Sequence, residues 1–346
     1  MRALILIALL AVMALVSAAP SHVAAQAPAG ELLVPLTGST PVDEYAGWLL
    51  FSRWDGQRYR LSSWHDGELR DLQVRPQATV FDADLGPDSR GRPAVAVSLC
   101  DGSCDLFVIG LGVGDRLRPV RNANTTGRDE IAPALWKGRL AFGRRYDADT
   151  VVPYTKLLSW PRTRPSQRLA GLPARRCGAV DPPYCRRLEE TALRAMDLWG
   201  RWVAQHWTYQ PDGFGGFRQN EIRLTDVRRT DTRQVAYMAT GLGGQTYLGP
   251  SLAKGRVAFF RACHGDPGGC STTNSGAIRY RISSGRYEID GAVEAWSGWA
   301  WSGIAGYHVP SAYACAGADP GIVTQPCGLY RRRGLDWQPI DAERVR

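Results

Sequence analysis

The chain has 346 residues, 44% of them hydrophobic and 22% charged, with 42 Lys+Arg against 33 Asp+Glu for a net charge of +9. That balance excludes a disordered chain, a collagen, a coiled coil and a polytopic membrane protein. The positive charge is almost wholly arginine, since Lys137, Lys156 and Lys254 are the only lysines.

The chain opens with Arg2 and an unbroken apolar run, Ala3 to Val16, followed by small residues at Ser17–Ala19, Ala24 and Ala25. A charged start, a short apolar run and A-x-A-like exits describe a secretory signal peptide, here residues 1–25. The run is shorter than the roughly 20 residues a spanning helix needs. The expectation is therefore a secreted or cell-envelope protein with no transmembrane span once the signal is removed. Residues 26–41 form an N-terminal extension in which Glu31–Leu36 reads as an extra strand. It either pairs with the end of the chain or packs along a rim. Residues 42–346 form the folded domain.

Within that domain one pattern recurs: a glycine, often Gly-Arg, followed by a short apolar stretch. It starts at Gly47, Gly91, Gly138, Gly200, Gly255 and Gly303, at spacings of 44, 47, 62, 55 and 48 residues. An apolar segment precedes each anchor, as in FDADL before Gly91 and APALW before Gly138. A third strand-like piece follows, as in DLFVIGL from Asp105 and EIRLTDV from Glu221, and then a turn and a last strand. Asp-Gly and Ser-Gly turns, as in HDGEL and SSGRY, supply the positive φ that two-residue hairpins need. Four strands in units of 40–50 residues define propeller blades. The expectation is an all-β, six-bladed β-propeller of four-stranded blades. The longest interval carries an insertion, Arg175–Arg187, and the one short helical turn expected lies at Leu188–Met196.

The eight cysteines fall as neighbours: Cys100 with Cys104, Cys177 with Cys185, Cys263 with Cys270, and Cys315 with Cys327. An even count in an exported chain reads as disulfides, paired in sequence order, and no C-x-x-C suggests a metal site. Three of the four pairs fall between the second and third strands of their units.

The unit "apolar strand, P-D-x-x-G, apolar strand, D-L-x-hydrophobic, turn, strand" resembles the repeat of TolB-type propellers, most clearly over Phe81–Leu111. That stretch also resembles exported propellers of bacteria with GC-rich genomes, whose coding bias would account for the arginine excess. The resemblance implies a channel mouth that binds other proteins, and it transfers no individual binding residue.

Candidate channel-side residues are Asp82, Asp84, Trp136, Asp197 and Trp299, on the inferred inner strands. Asp82, Asp84 and Asp88 invite a calcium reading, but the loop lacks an EF-hand frame, and Asp88 reads better as a turn residue. Trp296, Trp299 and Trp301 suit sugar stacking or, more simply, packing between blades. Of the histidines, His65, His206, His264 and His308, none falls in a catalytic motif, and neither H-E-x-x-H nor G-x-S-x-G occurs. Arginine pairs such as Arg228–Arg229 are scattered among acids, which reads as a solvated rim and argues against nucleic acid. No cofactor or metal is expected. The reading is a monomeric, non-enzymatic protein that binds an envelope protein or an anionic wall polymer. The alternative is a carbohydrate-active hydrolase or lyase drawing two carboxylates from Asp82, Asp84, Glu130, Asp197 and Glu294.

Overall fold

The computed structural model describes residues 31–37, 40–112, 116–159, 165–171, 188–211, 218–228, 232–240, 245–263, 276–290, 299–305, 311–316, 327–331 and 337–340. Residues 1–25, the insertion with Cys177 and Cys185, Cys270, Glu294, Trp296, His264 and His308 lie outside them, as do the side chains of Trp299, Trp301, Cys263, Cys315 and Cys327.

Every described element is a strand. After β1 (Glu31–Leu36) come four blades of consecutive antiparallel strands. The first is β2 (Val42–Tyr45), β3 (Trp48–Trp54), β4 (Tyr59–His65) and β5 (Glu68–Asp71). The second is β6 (Asp82–Pro87), β7 (Pro93–Asp101), β8 (Ser103–Gly110) and β9 (Arg118–Pro119). The third is β10 (Asp129–Trp136), β11 (Arg139–Arg145), β12 (Val151–Leu157) and β13 (Gln167–Arg168). The fourth is β14 (Leu188–Trp199), β15 (Trp202–Pro211), β16 (Arg218–Asp226) and β17 (Thr232–Thr240). A fifth blade has β18 (Gln245–Ala253), β19 (Arg256–Cys263), β20 (Gly276–Arg281) and β21 (Tyr287–Asp290).

The rest is a composite sheet. β22 (Trp299–Ala305), β23 (Ser311–Ala316) and β24 (Cys327–Arg331) are completed by β1, which pairs antiparallel with β24. Of the two placements open for Glu31–Leu36, pairing with the end of the chain is the one adopted. β25 (Trp337–Ile340) joins the edge of the fifth blade through β21. The chain is thus an all-β propeller with four-stranded blades.

Four expectations need correction. Six blades of consecutive strands are expected, and the structure has five. Gly303 lies inside β22 rather than in the turn after it, and Trp337–Ile340 (WQPI), which the sequence pattern makes the last strand of the sixth unit, extends the preceding sheet instead. Leu188–Met196 is not helical: it begins β14, whose backbone pairs with β15 from Leu188 to Trp199. Its interruptions in register, between Glu189 and Ala192 and between Leu193 and Ala195, break the period-2 alternation that would have marked a strand.

Second strands carry continuous apolar runs because they are covered on both faces. Ala94–Val97 of β7 and Leu140–Phe142 of β11 are almost wholly inaccessible. The core consists of layers between neighbouring blades rather than one central mass. One layer joins Leu106, Leu135, Phe142, Leu193 and Trp207 across the second to fourth blades. Another seats Val34, Leu36 and Leu329 of the composite sheet against Leu49, Phe51 and Trp64 of the first blade.

Because the strands alternate in direction, the C-terminal ends of the first and third strands lie on one face and those of the second strands on the other. The Cys100–Cys104 disulfide closes the β7–β8 hairpin on this second face, at a register pair. Cys315 and Cys327 are likewise register partners on β23 and β24. Replacing Cys100 and Cys104 together by serine is expected to cost about 2 kcal/mol in the loop-entropy model. A denaturant midpoint equal to that of the native protein would show that the bridge stabilises nothing.

Candidate functional site

The first strands β2, β6, β10, β14, β18 and β22 contact one another in succession, so their ends converge on a channel. One short segment recurs at the end of five of them: Asp43-Glu44-Tyr45, Asp84-Leu85-Gly86, Ala134-Leu135-Trp136, Asp197-Leu198-Trp199 and Ser251-Leu252-Ala253. The first position of this segment holds the carboxylates, and the third holds the aromatic rings.

The carboxylates link blade to blade. Asp43 Oδ2 accepts from the Leu85 N–H at 2.5 Å, Asp84 Oδ2 from Leu135 N–H at 2.6 Å, and Asp197 Oδ2 from Leu252 N–H. Each acceptor therefore serves the next blade's second position. The third blade has Ala134 there and offers nothing to the fourth; the Leu198 N–H is taken by Oδ1 of its own Asp197 at 2.5 Å. Asp43 Oδ1 likewise holds its own Glu44 N–H at 2.7 Å. Buried backbone donors left unpaired cost roughly 1–3 kcal/mol each, which explains why carboxylates recur at this position.

Those carboxylates are crowded. Burial is the largest cause lifting each of them: Asp43 to about 6, Asp197 to about 8, and Asp84 well above the ordinary carboxyl range. The charges of Asp43 and Asp197 lift Asp84 further, and Asp43 and Asp84 hydrogen-bond through their side chains. Asp82 is a separate case: burial raises it to about 6, and its Oδ2 accepts from Ala132 N–H at 2.6 Å, at a residue with φ +49°.

Above this floor the channel mouth is a cavity of about 270 Å³, lined by Asp43 and Asp197, by Tyr45, Trp136 and Trp199, and by Lys254 at its edge. Trp136 and Trp199 lie with ring centroids 3.7 Å apart, and Tyr45 meets Trp136 edge-on at 6.1 Å. The second blade carries Gly86 at the aromatic position, and with no side chain there the rings of the first and third blades reach each other. The adjoining hairpins turn through Ala46, Lys137 and Lys254, all at positive φ (52°, 46° and 44°).

Of the sequence candidates, the structure brings Asp84, Asp197 and Trp136 to this one site. Asp82 lies on β6 two residues earlier and binds the neighbouring strand. Glu130 is fully buried in an ion pair with Arg144 at 2.8 Å and does not line the mouth. Asp88 lies in the turn after β6, where Oδ1 accepts from the Arg90 and Arg92 N–H groups. His206 is buried against Asn220 at 3.3 Å, and burial lowers it to about 4, so it stays neutral. Sequence reading missed Asp43, Tyr45 and Trp199 as site residues. Aligning the units on the residues just before each glycine, rather than on the glycine itself, finds all three.

The fold and mouth together define a β-propeller whose channel end is aromatic above and carboxylic below. No family model matches the chain, and no curated protein matches it. Among solved structures it is similar to TolB from Acinetobacter baumannii at 11% identity and a TM-score of 0.46, covering 85% of this chain and 66% of that one. It is also similar to SapL1 lectin in complex with alpha methyl fucoside at 10% identity and a TM-score of 0.48, covering 90% and 96%. The nidogen/laminin complex matches at 12% identity and a TM-score of 0.45, covering 89% and 96%. Likeness at this distance assigns no ligand.

Proposed function

We propose that this protein is a non-enzymatic, exported propeller that binds an envelope protein or cell-envelope polymer at its channel mouth. The composite sheet acts as the sixth blade, with β1 supplying its outer strand. Residues 1–25 are a removed signal, and Cys177–Cys185, Cys263–Cys270 and Cys315–Cys327 are bridged as Cys100–Cys104 is. Among the described residues no helix is long and apolar enough to cross a membrane. The observation that carries the reading is the mouth itself: three aromatic rings over two carboxylic groups in a concave site.

A hydrolase at the same carboxylates has less support. Both oxygens of Asp43 and both of Asp197 already accept backbone N–H groups, so they hold strands rather than face a substrate. Retention of the mature protein on purified envelope polymer or envelope protein, reduced at least about tenfold in Trp199→Ala, is the expected result; one lost hot-spot ring costs about 2 kcal/mol or more. Equal retention of the variant would refute binding at the mouth. Glycan cleavage that disappears in Asp84→Asn would favour the hydrolase.

A further inference from the structure

Beside the mouth, on the same face, the arginine of the repeated Gly-Arg emerges from the first-to-second-strand turns of the second to fifth blades. In the second blade Arg92 is neutralised locally by Asp88 at 2.7 Å. In the third, fourth and fifth blades the equivalent residues are Arg139, Arg201 and Arg256, and they line two clefts between blades. The third-to-fourth-strand turns dock against these same hairpins: Val227 N–H donates to Arg201 O at 2.8 Å and Ile282 N–H to Gly255 O at 2.9 Å.

The cleft between the third and fourth blades, about 420 Å³, gathers Lys137, Arg139, Arg201 and Arg228. The cleft between the fourth and fifth, about 560 Å³, gathers Arg201, Arg233, Lys254, Arg256 and Arg281. Among the described residues no carboxylate lines either cleft. Asp226 pairs with Arg201 at 3.3 Å, and Glu288 pairs with Arg281 at 3.4 Å while also holding Arg279. Arg139 and Arg228 have no ion pair among the described residues, and burial together with the charge of Arg228 lowers Arg139.

Among the described residues, eight cations lie along one arc, with Asp226 and Glu288 paired to some of them, and a bound anion would relieve the crowding of like charge. The two clefts adjoin through Arg201, so an extended ligand can cross both. Each offers four or five donors-bearing side chains to one group, which a tetrahedral phosphate uses more fully than a planar carboxylate. Stacking of nucleic-acid bases is disfavoured because the Trp202 ring is already covered, by Arg201 at 4.8 Å and Arg233 at 5.4 Å.

We propose that this arc binds a linear polymer bearing phosphate groups along its backbone, laid across the two clefts. The proposal stands independently of what occupies the channel mouth. It is tested with the full mature chain and fluorescently labelled sodium polyphosphate, read by anisotropy. Binding is expected to weaken about twentyfold between about 50 and 200 mM salt, the response to about three neutralised phosphates. Arg228→Gln and Arg233→Gln, one for each cleft and neither lining the mouth, are each expected to weaken it about fivefold. Arg58→Gln, an exposed arginine on the opposite face, is expected to change it less than about twofold. Unchanged melting temperatures keep the variants comparable. The proposal is overturned if Arg58→Gln weakens binding as much as Arg228→Gln. Tighter binding of polyglutamate, oligothymidylate or phosphatidylglycerol vesicles than of polyphosphate overturns it too, as does no binding at about 50 mM salt.

Discussion

Asp84→Asn is expected to raise the unfolding temperature, and to raise it more at pH 8 than at pH 5. An aspartic acid in the unfolded chain ionises near pH 3.9. In the folded protein, burial and then the charges of Asp43 and Asp197 push Asp84 well above that. The native state therefore binds more protons than the unfolded state from about pH 4 upward, and stability falls as pH rises through that window. Asp43, raised to about 6, and Asp197, raised to about 8, act in the same direction, and the loss levels off once all are ionised.

Asparagine removes the titration at position 84 while keeping the contacts. Its Oδ1 can accept from Leu135 N–H as the carboxylate does, and its amide can donate to Asp43, the present side-chain partner. A gain of about 5 °C at pH 8 corresponds to removing a few kcal/mol for a chain of this size. Asp84→Ala is the contrast: it orphans the Leu135 N–H and costs about 1–3 kcal/mol. Calorimetry at the two pH values decides the matter, and an asparagine variant that melts below the native protein at pH 8 would mean that the charged form is the stabilising one.

Gly86→Ala is expected to be among the most damaging single substitutions in the chain. A Cβ at this position would lie 1.8 Å from the carbonyl oxygen of Leu135 and 2.8 Å from its carbonyl carbon. Both are backbone atoms of β10, held on the other side by β11, so neither can swing aside. The first strands of the second and third blades would have to separate, breaking the Asp84–Leu135 link and opening the layer that holds Leu135 and Phe142. A loss above about 4 kcal/mol is the scale for such a clash. Gly67→Ala serves as the comparison: nothing lies within 4 Å of its Cβ, and only its φ of +87° is strained, for about 1–2 kcal/mol. Comparable soluble yields and melting points for the two variants would show that the blades can part at little cost.

Much of the blade structure was legible because the hairpin turns repeat with their glycines. Gly47, Gly91, Gly138, Gly200 and Gly255 all adopt positive φ between a first and a second strand, as Gly-Arg spacing implies. The same cue failed at Gly303, which lies inside β22 with no turn to make. It failed again for WQPI, whose alternation fits any free sheet edge and whose partner turned out to be β21. Strand β14 was obscured because its irregular register mimics helical spacing of Leu188, Ala192 and Met196. At the site, Asp84 and Asp197 could be singled out as inner-strand carboxylates, but their task could not: the N–H groups they hold belong to other blades, 51 and 55 residues away.

The arginine excess shows the same division. Composition, repeat length, turn chemistry and cysteine spacing are local properties, and from them the sequence alone determined an all-β repeat protein with a bridged Cys100–Cys104 hairpin. Whether an arginine is neutralised, solvated or gathered with others depends on which turns meet across a blade boundary. Read along the chain, Arg139, Arg201, Arg228 and Arg256 are scattered among acids; around the propeller they line two adjoining clefts with no carboxylate among the described lining residues. Only the tertiary structure decided that, because the repeat returns the same turn to the same face at every blade and so sums charges that sequence distance keeps apart.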